Sequence, residues 1–368
     1  MESPSYKRRR RNGECERCRC HRAKKKKKHL YLVVDDWKGG YSIHKLDADD
    51  NSMEHRLPEH GALRLASSPE RAPMAFAALG TNIFIATNPR CSRHRAPPFL
   101  AYDTEAAALT VGPPPPDGHL RDLGEAVAAG GKLYALTFFW NEVRHSSSLQ
   151  VLSWEPTTDQ QEAWDPSMEW SWDTLPAPAP YTEGEVITSY ALHPDGRTIF
   201  MSTDWRTHSL DTGGNGVGAW RDLGEWTLPF RGQAYFDAEL DAWVGLHYKE
   251  DGYICCCPVA SRSATTTTAQ QQSECKILEE KLFRRCGEEK FPYGRYLSAT
   301  LTYMGDSKFC LVESVLRSKN ALDAVLHVTV FGLKYDHKRE LKTKAHRTTR
   351  FYGLSKNTLL FSHAAFWM

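Results

Sequence analysis

Short runs of alternating apolar and polar residues, each ended by turn-forming residues, recur along most of the chain. Four such runs lie close together, at Ser189–Leu192, Thr198–Ser202, Gly232–Phe236 and Ala242–His247. Strict alternation is typical of strands with one buried face. The segment His193-Pro194-Asp195-Gly196 between the first two runs suits a tight turn, because proline fixes φ and glycine accepts a positive φ. The pattern therefore predicts successive β-hairpins.

The same order of features recurs at intervals of about 45–60 residues, the range of kelch-like blades. A run enters a glycine turn, a second run follows, and a third ends in Asp-Thr, as at Asp103-Thr104 and Asp211-Thr212. About six units would fill residues 29–368, which predicts an all-β chain folded as a single β-propeller. We expect the first strand, Leu30–Val34, and the last, near Thr358–Ser362, to lie in one sheet or in neighbouring blades, since this removes two exposed edges.

Composition agrees with this class. Of 368 residues, 41% are hydrophobic and 11% aromatic, enough for a sizeable core that favours strands. No apolar run approaches the roughly 18 residues that span a bilayer, so we expect no membrane contact. We find no apolar segment typical of a secretory signal near the N-terminus. The ten cysteines are therefore interpreted as free thiols in a reducing compartment.

The net charge of +2 conceals two electrostatically different regions. Residues 1–28 carry thirteen of the 47 basic residues and three of the 45 acidic ones, a balance of +10 that leaves −8 for residues 29–368. Residues 1–28 also contain almost no apolar side chains to bury. We predict a disordered basic tail at 1–28 and a propeller domain at 29–368.

The tail carries two basic clusters separated by twelve residues, a spacing that resembles a bipartite nuclear-import signal. The predicted signal residues are Lys7, Arg8, Arg9, Arg10, Arg11, Lys24, Lys25, Lys26, Lys27 and Lys28. The expected partner is an import receptor, and weak non-specific contact with nucleic acid is an alternative. A solvated tail without a partner is the third interpretation, so the predicted location is the nucleus or the cytoplasm.

Two cysteine groups allow a metal or redox hypothesis. Cys15, Cys18, Cys20 and His21 have zinc-type ligands, but no second pair of ligands follows and the spacing is too tight for easy tetrahedral closure. Cys255-Cys256-Cys257 lies in an apparent strand, so alternate thiols point to opposite faces. Small buried hydrophobic side chains are the preferred explanation there, with a redox or metal role as the alternative.

No catalytic, cofactor-binding or metal residue is predicted, and we expect no cofactor. His193 with Asp195, and Asp237 with Asp241, resemble acid/base pairs, but both pairs lie on turns where such residues serve the backbone. The glycine-rich segment Gly213–Gly218 has no flanking strand and helix, so we interpret it as a loop and not as a phosphate cradle.

Several longer segments resemble a plant family, rich in grass members, that is known as the domain of unknown function 1668. They are Ala75–Gly80, Ala101–Glu105, Ala191–Phe200, Phe236–Leu246, Tyr303–Glu313 and Ala365–Met368. The resemblance extends over essentially residues 29–368 and implies a kelch-type or F-box-associated propeller. It supplies no activity and no catalytic residues, and no F-box-like helical segment precedes Leu30.

The function predicted from sequence is a non-enzymatic propeller that binds an unidentified protein through its loops. The alternative is a carbohydrate-binding or enzymatic propeller with a site at the channel mouth. Convergence of His, Asp, Glu or Tyr at that mouth would favour the alternative, and a flat apolar or charged rim would favour protein binding.

Overall fold

The computed structural model describes residues 27–37, 40–48, 57, 61–66, 74–86, 99–113, 125–140, 145–156, 167–175, 179–181, 185–213, 219–249, 252–260, 275–282, 295–316, 324–354 and 363–368. None of these residues is helical. Their strands, β1 to β24, form six four-stranded units, which we call sheets I to VI in chain order. The predicted all-β class is confirmed.

In sheets II to VI, consecutive strands pair antiparallel with their sequence neighbours. Sheet II contains β4 (Ala75–Leu79), β5 (Asn82–Ala86), β6 (Phe99–Asp103) and β7 (Ala108–Val111). Sheet III contains β8 (Glu125–Ala129), β9 (Lys132–Trp140), β10 (His145–Pro156) and β11 (Met168–Thr174). Sheet IV contains β12 (Ser189–Leu192), β13 (Thr198–Ser202), β14 (Thr207–Asp211) and β15 (Ala219–Asp222). Sheet V contains β16 (Phe230–Asp237), β17 (Ala242–His247), β18 (Ile254–Pro258) and β19 (Lys276–Ile277). Sheet VI contains β20 (Arg295–Gly305), β21 (Lys308–Leu316), β22 (Ala324–Tyr335) and β23 (Leu341–Leu354).

Sheet I is assembled from both ends of the described chain. Its strands are β1 (Leu30–Trp37), β2 (Gly40–Leu46), β3 (Leu63–Ala66) and β24 (His363–Trp367). Strand β24 pairs antiparallel with β1, with Leu32 opposite Ala365, and His29 and Met368 exchange two backbone hydrogen bonds of 2.7 and 3.1 Å. The two ends of the described chain thus share one sheet, the outcome expected for the first and last strands. The stretch predicted to form the last strand, 358–362, lies outside the described residues, and the strand that closes the sheet follows it.

Apolar clusters join the sheets into a ring. Each of six buried clusters contains side chains from two sheets that follow one another, such as Phe84 of sheet II with Leu133 of sheet III. The last cluster joins sheet VI to sheet I, with Val312 and Leu326 packed against Leu32. A closed ring of antiparallel four-stranded sheets is a β-propeller. Most of the core therefore lies between sheets.

The innermost strands surround the axis of the ring. They are the first strands of sheets II to VI and β24 of sheet I. Strands β4 and β8, β16 and β20, and β20 and β24 are in contact, and β12 pairs directly with β16 in parallel, with Tyr190 opposite Gln233. Sheets IV and V are therefore one continuous eight-stranded sheet. Tyr190 and Gln233 lie on the face of this junction that is turned away from the cluster between sheets IV and V, which contains their neighbours Ala191 and Ala234.

The recurring Asp-Thr pair has the same structural role in two sheets. Thr104 donates its backbone N–H and its hydroxyl to Thr81 O, at 2.9 and 2.8 Å. Thr212 makes the same two bonds to Arg197 O, at 3.1 and 2.7 Å. In both sheets the pair ties the end of the third strand to the first hairpin turn, which explains its recurrence in the sequence.

Candidate functional site

The outer part of sheet III carries an exposed apolar surface, which we call the rim patch and define as Trp154, Met168 and Trp170. Trp154 lies opposite Trp170 across β10 and β11, and Pro156 lies opposite Met168. Because side chains alternate along a strand, all four share one face, the face that packs against sheet II further in. Trp154 is 48% exposed and Met168 is 40% exposed.

A stack of aromatic rings supports the rim patch from inside. Trp154 and Trp170 have centroids 5.1 Å apart, and Trp170 meets Phe84 of sheet II edge-on at 4.9 Å. Phe84 stacks on Phe99, which meets Trp172 edge-on at 5.2 Å. Such pairs add to the stability gained by burial and hold the rings in fixed orientations. The patch is therefore a preformed surface.

The opposite face of the same strand is polar. Glu155, next to Trp154, accepts hydrogen bonds from Lys132 Nζ at 2.9 Å and from Ser153 Oγ at 2.7 Å. These bonds lower the pKa of Glu155 and the bond to Glu155 raises that of Lys132. At the end of β10 that carries Trp154 the two faces thus differ, although further in the opposite face carries Leu149 and Val151 of the cluster shared with sheet IV.

A second candidate, the channel cluster, lies on the first strands of sheets III to V and comprises Glu125, Tyr190, Gln233 and Tyr235. Tyr190 and Gln233 point to the same side of the β12–β16 junction, and so does Tyr235. The Tyr235 hydroxyl donates to Gln233 Oε1 at 3.1 Å. Its ring stacks at 6.3 Å on Tyr303 of sheet VI. Side chains from four sheets therefore converge near the axis.

The tyrosines of the channel cluster are neutral hydrogen-bonding groups. Burial raises the pKa of Tyr190 well above its ordinary value, and the nearby Glu125 carboxylate, which is hydrogen-bonded to its hydroxyl, raises it further. Burial also raises the pKa of Tyr235. These hydroxyls therefore stay protonated at neutral pH and suit hydrogen bonding to a polar ligand better than proton abstraction.

The two turn pairs suspected of acid/base chemistry serve the backbone. Asp195 accepts from Arg197 N at 3.0 Å, from Thr198 N at 2.9 Å and from Thr198 Oγ1 at 2.7 Å. Burial opposes ionisation of Asp195, but these hydrogen bonds outweigh it and hold its pKa well below the ordinary value. His193 Nδ1 lies 3.3 Å from Asp195 Oδ1. The predicted structural role of this pair is confirmed.

Asp237 and Asp241 shape the first hairpin turn of sheet V. Asp237 is fully buried, and its Oδ1 accepts from Leu240 N at 2.9 Å and from Ser307 Oγ of sheet VI at 2.8 Å. Asp241 has a φ of 49°, a conformation that Asp adopts more readily than most residues. Asp237 therefore links two sheets, and its structural role is also confirmed.

Most of the predicted tail residues lie outside the described part of the chain, including Lys7–Arg11, Lys24–Lys26, Cys15, Cys18, Cys20 and His21. Lys27 and Lys28 are described and exposed, and the Lys27 ammonium forms an ion pair with the Asp47 carboxylate. Of the glycine-rich loop, only Gly213 is described. The import-signal hypothesis thus stays a prediction.

The described residues lack two features that would indicate a metal site or a membrane span. They contain no group of three or more His, Cys, Asp or Glu side chains arranged to hold a metal ion. Nor do they contain a helix whose length and hydrophobicity would allow it to cross a membrane.

The family model described as "Protein of unknown function (DUF1668)" matches residues 27–352. This chain belongs to the DUF1668 family. The family resemblance read from the sequence is confirmed to that extent. No curated protein matches the DUF1668 chain in sequence.

Solved structures similar to the DUF1668 protein share little sequence with it. Hsv2 of Kluyveromyces lactis is 11% identical, with 86% of this chain and 82% of that chain covered and a TM-score of 0.38. A protein from Lactobacillus plantarum is 11% identical, with 88% and 99% covered and a TM-score of 0.40. The Cps50 (Swd1) β-propeller domain of Myceliophteria thermophila is 8% identical, with 88% and 89% covered and a TM-score of 0.35. The assignment of the DUF1668 chain as a propeller rests on its own sheets and clusters.

Neither candidate site was predicted from the sequence. Trp170 and Trp172 lie in strand β11, a segment for which the sequence predicted no strand. Their alternation with Met168 is the signal that would have placed them in a strand. The channel cluster joins side chains from separate sheets, so no local pattern predicts it.

Proposed function

We propose that this protein is a non-enzymatic β-propeller scaffold that binds a partner protein through the rim patch. The observation that supports it is the exposure of Trp154 and Met168 on one face, beside the half-buried Trp170. Contiguous exposed apolar groups mark interaction sites on soluble proteins, and Trp and Met are enriched in interfaces.

The partner surface that fits the rim patch is an apolar side chain or short apolar segment that inserts beside Trp154. A rigid aromatic group loses little conformational entropy on binding, and central tryptophans typically dominate binding energy. The ring stack behind the patch supplies that rigidity, so binding requires no rearrangement of the sheet.

The test uses two tryptophans of equal exposure. Trp205, in a turn of sheet IV, is 49% exposed and lies under the Arg206 guanidinium at 4.6 Å, outside the rim patch. A partner recovered with the intact protein is purified, and its affinity is measured for Trp154→Arg and for Trp205→Arg. We expect Trp154→Arg to weaken binding at least roughly thirtyfold, the equivalent of a hot spot of about 2 kcal/mol. Equal affinities of the two variants would contradict the proposal.

The proposal includes the basic tail as a nuclear-import signal on a kelch-like plant propeller. Lys27 and Lys28 are exposed, as residues read by a receptor must be. A fluorescent fusion with Lys24–Lys28 changed to Ala should move from the nucleus to the cytoplasm, while a fusion with Arg17, Arg19 and Arg22 changed should stay nuclear. If the variant with Lys24–Lys28 changed to Ala stayed in the nucleus, these residues would not be an import signal.

A second candidate function is recognition of a polar ligand, such as a carbohydrate, at the channel mouth. The channel cluster favours it, because a carboxylate, an amide and two neutral hydroxyls converge there with aromatic rings alongside. Binding to a carbohydrate panel that is lost in Glu125→Gln and retained in Trp154→Arg would support this function. Binding that Glu125→Gln leaves unchanged would contradict it.

A further inference from the structure

Three thiols lie on one face at the outer edge of sheet V. Across β18 and β19, Cys255 is opposite Ile277 and Cys256 is opposite Lys276. The same register, carried one residue further, sets Cys257 opposite Cys275. Cys255, Cys257 and Cys275 all belong to the cluster that faces sheet IV. Cys256 points to the other face, where its sulfur lies 3.3 Å from the Tyr335 hydroxyl.

The register distinguishes two roles for the buried thiols. Residues directly opposite each other in an antiparallel pair have Cα atoms about 4.5–5.5 Å apart, within the range of a disulfide. Cys255 is diagonal to Cys275, at about 7–8 Å between Cα atoms, which is too far for an unstrained bridge. The Cys255 thiol donates to Pro229 O at 3.4 Å, and its sulfur is also close enough to Cys275 to lower the pKa of that thiol. Cys257 is thus placed to bond covalently with Cys275, and Cys255 to orient it.

Access and ionisation single out Cys275 among the three. Cys255 and Cys257 are buried, whereas Cys275 is partly exposed. The hydrogen bond from Cys255 lowers the pKa of Cys275, and burial raises the pKa of both Cys255 and Cys257. Thiolate, the form that reacts with peroxide, therefore forms at the accessible sulfur and is oriented by a protonated neighbour.

We propose that Cys275 and Cys257 are a peroxide-responsive pair, in which Cys275 is oxidised first, Cys257 resolves it as a disulfide, and Cys255 is a positioning residue. The Cys275 thiolate attacks hydrogen peroxide, so that an S–O bond forms, the O–O bond breaks and water leaves after protonation. The Cys257 sulfur then attacks the sulfenic sulfur, an S–S bond forms and a second water leaves. Two thiols lose two electrons, and one peroxide becomes two waters.

The experiment uses the full chain and hydrogen peroxide. Trypsin cuts after Lys249, Arg262 and Lys276, so Cys257 and Cys275 fall in different peptides. After peroxide treatment and alkylation of remaining thiols, non-reducing mass spectrometry should detect peptides 250–262 and 263–276 as one linked species. Fragmentation should place the bond at Cys257, and dithiothreitol should remove it.

Three variants complete the test. Cys257→Ser should abolish the linked species and leave a Cys275 sulfenic acid that dimedone labels. Cys256→Ser, the matched control on the other face, should form the link as the parent does. Cys255→Ala, which removes the donor, should slow labelling of Cys275 by iodoacetamide and raise the pH at which labelling is half-maximal. Thermal unfolding of each variant checks that it is folded.

Two results would overturn the inference. One is a folded parent protein in which peroxide gives dimedone-labelled or further oxidised Cys275 without any linked peptides. The other is a bond from Cys275 to Cys255, Cys256 or Cys286, which would mean that the β18–β19 register does not set the partner.

Discussion

The groove between sheets II and III and the groove between sheets V and VI are closed at their outer ends in different ways. At II/III, the last strand of sheet III presents Trp170 and Met168, and the groove ends in exposed apolar groups. At V/VI, the last strand of sheet VI carries cations that reach across to acids of sheet V and the segment after it. These ion pairs are Lys342–Glu279, Lys344–Glu239 and Arg347–Glu280.

The difference shows that the outermost strand decides whether a groove ends in apolar or in charged side chains. Both grooves have the same apolar interior, with Phe84 in one and Phe309 in the other fully buried. Strand β23 covers its groove with charged side chains, as exposed edge strands commonly do to avoid unwanted pairing. Strand β11 carries no such cover of charged side chains. Of the two grooves, the one between sheets II and III therefore ends in apolar side chains.

The largest effect is expected from opening the ring, on which both grooves depend. Deletion of residues 363–368 removes β24 and exposes the edge of β1, a strand that carries the apolar residues Leu32 and Val34. We expect an insoluble protein or one without a cooperative thermal transition. As a control, removal of residues 1–26 should leave the melting temperature within about a degree or two, because a tail poor in apolar residues loses no core contact. A deleted protein that melts like its parent would refute the closure.

The second prediction concerns the buried interior of the groove between sheets II and III. Trp172 is buried and meets Phe99 edge-on. Trp172→Ala should lower the free energy of unfolding by about 3–5 kcal/mol, through lost burial and the cavity left behind. Urea unfolding followed by circular dichroism measures it. A loss below about 1 kcal/mol would show that the aromatic stack does not hold sheets II and III together.

A third interface, between sheets VI and I, depends on a neutral histidine. His363 lies 3.3 Å from Ser298 Oγ through Nδ1 and 3.1 Å from Val312 O through Nε2. Burial lowers its pKa to about 4, although the bond to Val312 O acts in the opposite direction. The unfolded state therefore binds the proton first, so stability is fully present above about pH 6.5 and is lost as the pH falls toward 4.

The expected loss over that pH range is on the order of 2 kcal/mol for the intact protein. His363→Gln should lose less, since its amide does not titrate. Thermal unfolding of both proteins between pH 7 and pH 4 measures the difference. If the two proteins lost stability in parallel as the pH falls, His363 would not be the cause of the pH dependence.

The smallest effect is expected in the charged groove. Arg347 and Glu280 are 30% and 50% exposed, so solvent screens their attraction. Arg347→Ala should cost less than about 1 kcal/mol, and a double-mutant cycle with Glu280→Ala gives the coupling energy. A coupling of several kcal/mol would mean that ion pairs, and not apolar contacts, hold sheets V and VI together.

Inner hairpins could be predicted from sequence, and outer strands largely could not. Strands β12 and β13, Ser189–Leu192 and Thr198–Ser202, have the predicted bounds, because apolar alternation and the His193–Gly196 turn define them locally. Strand β23 is 14 residues long and went unpredicted, since its side chains are mostly polar and its conformation is imposed by pairing with β22. The first strand is also longer than the predicted Leu30–Val34, because β1 continues to Trp37 and pairs it with Gly40.

The candidate sites illustrate the same limit. Asp195 and Asp237 were correctly interpreted as turn residues, because their hydrogen bonds are made within a few positions of sequence. Tyr190 and Glu125 belong to different sheets, and only the packing of sheet III against sheet IV brings them together. Solvent exposure of Trp154 likewise depends on what neighbouring sheets leave uncovered.

Because β1 pairs with β24, with Leu32 opposite Ala365, sheet I cannot be completed until β24 has been translated. A ribosome adds about 5–20 residues per second, so β1 emerges tens of seconds before the strand that will cover its edge exists. During that interval the first sheet has an unpaired edge and an apolar face without its neighbour. Chaperones that shield such edges have their longest opportunity here, and the nascent chain reaches its final form only as translation of β24 is completed.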